Sequence, residues 1–450
     1  MRQILPPRPS VSAICGAQKT EQGEYRYTRH CVAVPCAEGT LLYQTLTGEL
    51  LLLESDEDAS ACRGELIRRR FLVPESFDDK AYADQFRTLL GLALPKKSGI
   101  NTFLIYTTLD CNAHCYYCYE LGRARPVMSG QTARDAADFI LRSRGEEKVR
   151  IRWFGGEPLF NRPVIDIITG ILRENNVPYT STMVSNAYLF DEETVRAARD
   201  DWNLKYVQIT LDGTEEVYNR SKAFIYKEGS PYQRVMRNIG LLLDADISVI
   251  IRMNLGRENG EDLLNLADEL AQRFPGRKKL RVYAALLKDY GNVKMDLGDV
   301  ERRIAAYGRL SDRLSKLNLL AAGLTSQTIK TNHCLADNDN GVSILPDGSL
   351  GKCEHETDED LIGSIYAPVP DSSAWSCWKE QIRVPECEDC VHYPVCTELK
   401  KCPGTGGTCT PLDRTLKNLY LEQSILFTYE KKKNRDPGLN SESDTAPELC

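Results

Sequence analysis

The chain has 450 residues, 42% of them hydrophobic and 27% charged, with a formal net charge of -7. That composition describes an ordinary globular protein of two to four domains, long enough to bury its cores without staples. It excludes a global basic surface for nucleic acid, and no run of about 18 apolar residues offers a membrane span.

The first segment, residues 1–96, opens on Met1-Arg2-Gln3-Ile4-Leu5-Pro6-Pro7, which lacks a hydrophobic signal core. Met1 to Tyr25 reads as a loose arm. Three strands are predicted at Tyr25–Pro35, Gly39–Thr47 and Glu49–Glu54, then helices from Asp56 to Arg70 and from Asp79 to Leu92. The run Arg68-Arg69-Arg70 reads as a solvated face. Cys15, Cys31, Cys36 and Cys62 have no ligand-like spacing and read as reduced thiols.

Residues 97–325 alternate strand-like and helix-like runs. The predicted strands are Phe103–Leu109, Val149–Phe154, Thr180–Ser185, Tyr206–Leu211, Ser248–Asn254 and Leu280–Leu286. Amphipathic stretches lie between them: Thr132–Arg144, Pro163–Asn175, Glu192–Trp202, Tyr232–Asp244 and Glu261–Arg273. Repeated βα units with short connections predict an α/β fold with a parallel sheet covered by helices, its ligands at the C-terminal strand ends.

Every candidate motif falls at such an end. The first strand is followed by Cys111-x3-Cys115-x2-Cys118. Three thiolates on one short loop can hold three irons of a [4Fe–4S] cube and leave the fourth iron open. The alternative, zinc, takes four ligands in two pairs, and no second pair lies nearby in sequence. The second strand ends in Phe154-Gly155-Gly156-Glu157-Pro158, where two glycines allow close backbone approach. The third ends in Val184-Ser185-Asn186-Ala187. The fourth carries Thr210-Leu211-Asp212-Gly213, with Arg220 soon after, and the fifth carries Arg252 and Asn254. An arginine within a strand needs a partner.

Residues 326–410 hold the second group of the chain's sixteen cysteines. Cys334 comes first; a strand and turn follow at Val342–Gly348, then Cys353 with Glu354 and His355. Cys387-x2-Cys390-x5-Cys396-x5-Cys402-x6-Cys409 closes the segment. Such clusters on a long βα chain fit metal centres in a reducing cytosol better than a secreted disulfide framework, so the expected location is cytoplasmic. His114, His333, His355 and His392 lie beside cysteines and read as supporting groups, not ligands. Residues 411–450 read as a helix and a charged tail without structure.

The cysteine loop with Gly-Gly-Glu-Pro one βα unit later resembles the radical S-adenosylmethionine (SAM) enzymes. The resemblance implies a partial (β/α)6 barrel. Cys111, Cys115 and Cys118 would hold a [4Fe–4S] cluster whose open iron takes the amine and carboxylate of SAM. Tyr117 would pack by the adenine, Gly155, Gly156 and Glu157 would lie by the ammonium, and Ser185 and Asn186 by the ribose. Thr210 and Arg220 would contact SAM, with Arg252 a second candidate for the carboxylate; position prefers Arg220.

The late cysteines resemble the SPASM extension, which holds two auxiliary [4Fe–4S] clusters. By position Cys334, Cys353 and Cys402 belong to the first, and Cys387, Cys390, Cys396 and Cys409 to the second. The five residues between Cys396 and Cys402 depart from the three usual in that extension. Asn340 stands where some relatives carry a further cysteine, which leaves either an open iron or Cys377 as the closing ligand.

Residues 1–96, with Leu46-Thr47-Gly48-Glu49-Leu50, resemble the winged-helix-like domain that takes a leader peptide as an added strand; a structural cap is the bland alternative. These likenesses imply a maturase of a ribosomally made precursor peptide, supplied with electrons by a flavodoxin or ferredoxin, that installs a crosslink such as a Cys thioether. A sulfatase-type maturase forming formylglycine is the runner-up; its base is an Asp where this chain has Glu354. A C–C crosslink, an epimerisation, or a non-enzymatic peptide-binding or redox-sensing Fe–S protein are the other readings.

Overall fold

The computed structural model describes residues 1–8, 23–54, 61–93, 98–120, 124–226, 228–287, 297–321, 324, 334–355, 360–370, 372–396, 398–402 and 406–433. They form two compact units. One comprises residues 1–96, 322–333 and 380–450, the other 97–321 and 334–379. The boundary between the units cuts the cysteine-rich stretch expected at 326–410. Cys15, His333, Cys450, the start of the Asp56 helix and the tail beyond Lys433 lie outside the described residues.

The first unit begins with β1 (Arg2–Leu5), β2 (Tyr25–Tyr27), β3 (Cys31–Cys36), β4 (Gly39–Gln44), β5 (Leu50–Glu54), α1 (Arg63–Arg68), β6 (Leu72–Pro74) and α2 (Asp79–Ala93). The antiparallel sheet has the order β1-β5-β4-β3, and β2 pairs separately with β6. The four leucines of β5 are explained by period 2 with both faces buried. Leu50 and Leu52 enter one cluster with Leu5, Val34, Leu41, Tyr43, Ile425 and Tyr429, while Leu51 and Leu53 enter another with Leu42, Leu66, Ile67 and Phe71.

Arg2–Leu5 is a strand, not part of a loose arm. Its apolar signal is short and ends at Pro6-Pro7, and its burial comes from pairing with β5, far along the chain.

The second unit carries β7 (Thr102–Thr108), α3 (Gly130–Ser143), β8 (Val149–Gly155), α4 (Arg162–Glu174), β9 (Tyr179–Ser185), α5 (Glu192–Asp200), β10 (Leu204–Thr210), α6 (Glu215–Lys222), α7 (Pro231–Asp244), β11 (Ser248–Leu255), α8 (Gly260–Arg273), β12 (Leu280–Leu286) and α9 (Leu297–Lys316). β7 to β12 are parallel and lie side by side in chain order. The outer edge of β7 pairs with β13 (Gly341–Ile344), which is followed by β14 (Ser349–Gly351) and β15 (Gly363–Ser364), so the sheet stays open. This is the expected α/β series of six parallel βα units.

Side-chain caps start several of the helices. The Ser129 side chain accepts from Thr132 N–H at the start of α3, and Asp191 accepts from Thr194 N–H at the start of α5. Ala133, Ala136, Ala137, Phe139 and Ile140 form the buried face of α3. Helices α6 and α9 were not among the predicted elements: α6 is short and strongly polar, and much of its burial comes from Tyr218 and Lys222.

Back in the first unit, α10 (Pro411–Lys433) brings Ile425 and Tyr429 to the face of the four-stranded sheet. No helix among the described residues is long and apolar enough to cross a membrane.

Candidate active site

Parallel register puts the C-terminal ends of β7 to β11 at one edge of the sheet, and the loops there meet. The chain leaves β7 through Asp110, whose Oδ1 accepts from Cys111 N–H at 2.9 Å and pairs with Arg125 at 3.1 Å. Cys118 N–H donates to the Cys115 carbonyl at 3.0 Å, closing a turn that brings the second and third thiols onto one short arm.

Gly155 and Gly156 approach this loop rather than open space. A Cβ on Gly155, whose φ is +135°, would meet the Thr108 carbonyl oxygen at 2.0 Å. One on Gly156 would meet that of Asp110 at 2.3 Å. Gly156 N–H and Glu157 N–H donate to those same two carbonyls, each at 3.0 Å. The glycine pair therefore lets β8 dock on the cysteine loop.

Glu157 lies fully buried behind it. Its carboxylate accepts from Ser185 Oγ at 2.9 Å, Asn186 N–H at 2.8 Å and Leu159 N–H at 3.2 Å. Burial pushes this carboxyl up to about 7 against those three bonds. Asn186 Nδ2 donates to Asn112 Oδ1 at 2.6 Å and stands 3.9 Å from Cys111 Sγ. The third and second strand ends thus brace the first. Burial, then the charge of Glu157, push the Cys111 thiol up to about 12, and burial also raises Cys118.

A second network lies under the other arm. Tyr117 donates to Asp212 Oδ2 at 2.5 Å and accepts from Lys222 Nζ at 2.6 Å; Lys222 and Asp212 pair at 3.1 Å, each 4% exposed. Burial, then Asp212, hold the Tyr117 phenol well above its usual range. Burial alone would pull Lys222 down, yet Asp212 and Cys115 hold it well above the usual lysine value.

The two arginines part company. Arg220 is 72% exposed on α6, 3.9 Å from Glu216. Arg252 sits opposite Thr210 in the β10–β11 register and donates to Asn254 Oδ1 at 3.0 Å. Among the described residues no carboxylate pairs with Arg252. The positional preference for Arg220 finds no geometric support.

In the same unit, Ala336 N–H points at Cys334 Sγ and His355 N–H at Cys353 Sγ, both at 3.4 Å. The Tyr119 ring lies 4.1 Å from that of His355. Tyr106 donates to the Glu354 carbonyl at 2.9 Å, while the Glu354 side chain is partly exposed, 3.7 Å from His355. Asn340 is engaged elsewhere, donating to the Gly99 carbonyl at 2.6 Å; Cys377 is exposed.

Cys387, Cys390, Cys396, Cys402 and Cys409 belong to the other unit. Cys390 N–H donates to the Cys387 carbonyl at 3.3 Å and Cys396 N–H to that of His392 at 2.7 Å. Lys417 Nζ stands 3.8 Å from Cys396 Sγ. The His392 ring bonds Asn418 at 2.8 Å. All fourteen described cysteines are free thiols. Among the described residues no three His, Cys, Asp or Glu side chains converge at the spacing of a single ion.

Asn112, Asp212, Lys222 and Asn254 were not among the predicted site residues. Asn112 and Asp212 lie inside the quoted motifs, where their neighbours drew attention. Nothing local marks Lys222.

Residues 105–270 match the Radical SAM superfamily. Over 121 residues, 26% of the chain, it is 30% identical to an uncharacterised protein of Methanocaldococcus jannaschii, of which the match covers 40%. Over 164 residues, 33% of the chain, it is 26% identical to a cysteine-type anaerobic sulfatase-maturating enzyme of Clostridium novyi, of which the match covers 42%. The chain thus spans about two fifths of the length of these curated relatives. The solved structure of native anSMEcpe with bound AdoMet is similar in fold, with a TM-score of 0.57 at 14% identity, covering 74% of this chain and 99% of that one. The same protein with bound AdoMet and the Kp18Cys peptide gives a TM-score of 0.55 at 14% identity and the same coverage.

The parallel series therefore holds the stretch that matches the Radical SAM superfamily, and a domain of that superfamily implies a [4Fe–4S] cluster and SAM. The residues present fit that group. Three thiols share one loop, with a backbone N–H aimed at Cys111 Sγ at 3.4 Å. Beside them Asn112 Nδ2 is buried without a partner, a donor suited to a sulfide or thiolate.

Proposed function

We propose that this chain is a radical SAM enzyme that modifies a ribosomally made precursor peptide, most simply by an intrapeptide thioether to a substrate cysteine. The observation that carries the reading is the set of three thiols on one loop at the C-terminal edge of a parallel sheet, within the span that matches the Radical SAM superfamily. When bound, the cluster and SAM supply a 5′-deoxyadenosyl radical.

The chain's own residues bind and orient. Cys111, Cys115 and Cys118 are the iron ligands, and Asn112 and Asn186 bond around Cys111 Sγ. Glu157, Gly155, Gly156 and Ser185 act mainly by fixing the loop. Arg252, with Thr210 beside it, is the carboxylate site, because a strand arginine without a carboxylate of its own suits one from a ligand. The Tyr117 ring is held for the adenine.

Cys334 and Cys353 are ligands of a first auxiliary cluster, and Cys387, Cys390, Cys396 and Cys409 of a second. Residues 1–96 hold the leader peptide and raise the local concentration of the core. A flavodoxin or ferredoxin is the electron donor. The peptide reading is supported by the Kp18Cys peptide held by a protein of similar fold.

A sulfatase-type maturase is favoured by the Clostridium novyi relative. Against it stands Glu354, an acid longer than the expected Asp.

Anaerobically reconstituted protein with dithionite and SAM is expected to form 5′-deoxyadenosine, and Cys115→Ala is expected to form none. No product from the intact protein would remove the enzyme reading. Incubation with a cysteine-containing candidate precursor peptide should give a crosslinked product two hydrogens lighter; conversion of a sulfatase peptide to formylglycine would select the alternative.

A further inference from the structure

The proposed reaction leaves a buried charge beside the cysteine loop unused. Lys222 closes α6, and its ammonium lies between the Tyr117 hydroxyl at 2.6 Å and Asp212 Oδ2 at 3.1 Å. It stands 5.3 Å from the centre of the Tyr117 ring and 5.8 Å from that of Tyr218. Its carbonyl accepts from His114 N–H at 2.9 Å. One residue therefore holds the backbone between Cys111 and Cys115 and the ring between Cys115 and Cys118.

Burying an ammonium is costly even when it is paired, and an apolar side chain of similar volume often serves stability as well. The charge needs a use. The backbone carbonyl and the ammonium of Lys222 engage His114 and Tyr117, which flank Cys115 on the loop. Asp212 faces Lys222 and Tyr117, and its other carboxylate oxygen is buried without a partner.

We propose that Lys222 is a positioning residue whose buried charge, oriented by Asp212 and Tyr117, raises the reduction potential of the cluster held by Cys111, Cys115 and Cys118. This rests on the cluster reading above. Reduction adds one negative charge to the cluster. A fixed cation beside it stabilises the reduced form, and a fixed anion does the reverse.

The test is an EPR-monitored redox titration of reconstituted protein, followed on the signal that changes when SAM is added. Lys222→Met is expected to make reduction at least about tenfold less favourable, a drop of about 59 mV for one electron. Asp212→Asn is expected to shift the potential upward, and Lys222→Arg to stay near the wild type. Opposite signs at Lys222 and Asp212 cannot come from a shared loss of packing. Shifts of the same sign, or none, would overturn the inference. Should Lys222→Met assemble no cluster, Asp212→Asn still decides: an unmoved or lowered potential sinks the idea. A wild-type protein with no SAM-responsive signal would overturn the cluster reading itself.

Discussion

Glu157 shows how a single residue can link the fold to the site. Its carboxyl is fully buried, and its folded value of about 7 lies above the ordinary 4.5. For an acid raised in this way the native state holds its proton longer than the unfolded chain. Stability is then greatest at low pH and falls as pH rises from about 4.5 to about 7, by on the order of 3 kcal/mol. Urea unfolding of the iron-free protein across that window should show the decline, and Glu157→Gln should remove that part of it. An identical pH dependence in the variant would mean Glu157 is ionised throughout. Arg252 and Arg220 give a second contrast. Removing a charge-assisted bond to SAM costs about 1.5–3 kcal/mol, roughly ten- to a hundredfold in binding. Arg252→Ala should weaken SAM binding by that factor in equilibrium dialysis, while Arg220→Ala should leave it unchanged.

At the scale of elements, the docking of β8 on the cysteine loop depends on a missing Cβ. Gly156→Ala would place a carbon 2.3 Å from the Asp110 carbonyl oxygen, so the loop must shift. Reconstituted Gly156→Ala is expected to retain less iron than wild type. Gly170→Ala, in α4 with nothing within 4 Å of the new carbon, should keep its iron and gain about 0.5–1 kcal/mol; equal iron in both variants would show the docking to be dispensable.

The strands β7 to β12 were legible to within a residue or two at their ends, because β7 and β11 are near-continuous apolar runs and β8, β9, β10 and β12 largely alternate buried and less buried residues with period 2. The cysteine loop was legible because its spacing is local. β1 was hidden because its core contact, Leu5, gains meaning only beside β5. Lys222 was hidden because Tyr117 reaches it from the connection after β7, whereas Asp212 and Lys222 share the connection after β10. The sequence offered Arg220 for the carboxylate by position alone, whereas exposure separates it from Arg252.

On the scale of the whole molecule, the cysteines are shared between two compact units. Cys111, Cys115, Cys118, Cys334 and Cys353 stand in one, and Cys387, Cys390, Cys396, Cys402 and Cys409 in the other. Three four-iron clusters would give about 12 iron atoms per chain. Replacing Cys387 and Cys390 with alanine should lower anaerobic iron content by about 4 and leave the SAM-dependent signal in place.

The most direct measurement is EPR of the reduced, reconstituted protein in which Cys334, Cys353, Cys387, Cys390, Cys396, Cys402 and Cys409 are all alanine. The expected result is a [4Fe–4S] signal that shifts when SAM is added and disappears with Cys115→Ala. No cubane signal in this variant while the wild type shows one, or a signal indifferent to SAM, would contradict a SAM-binding cluster on the loop from Cys111 to Cys118.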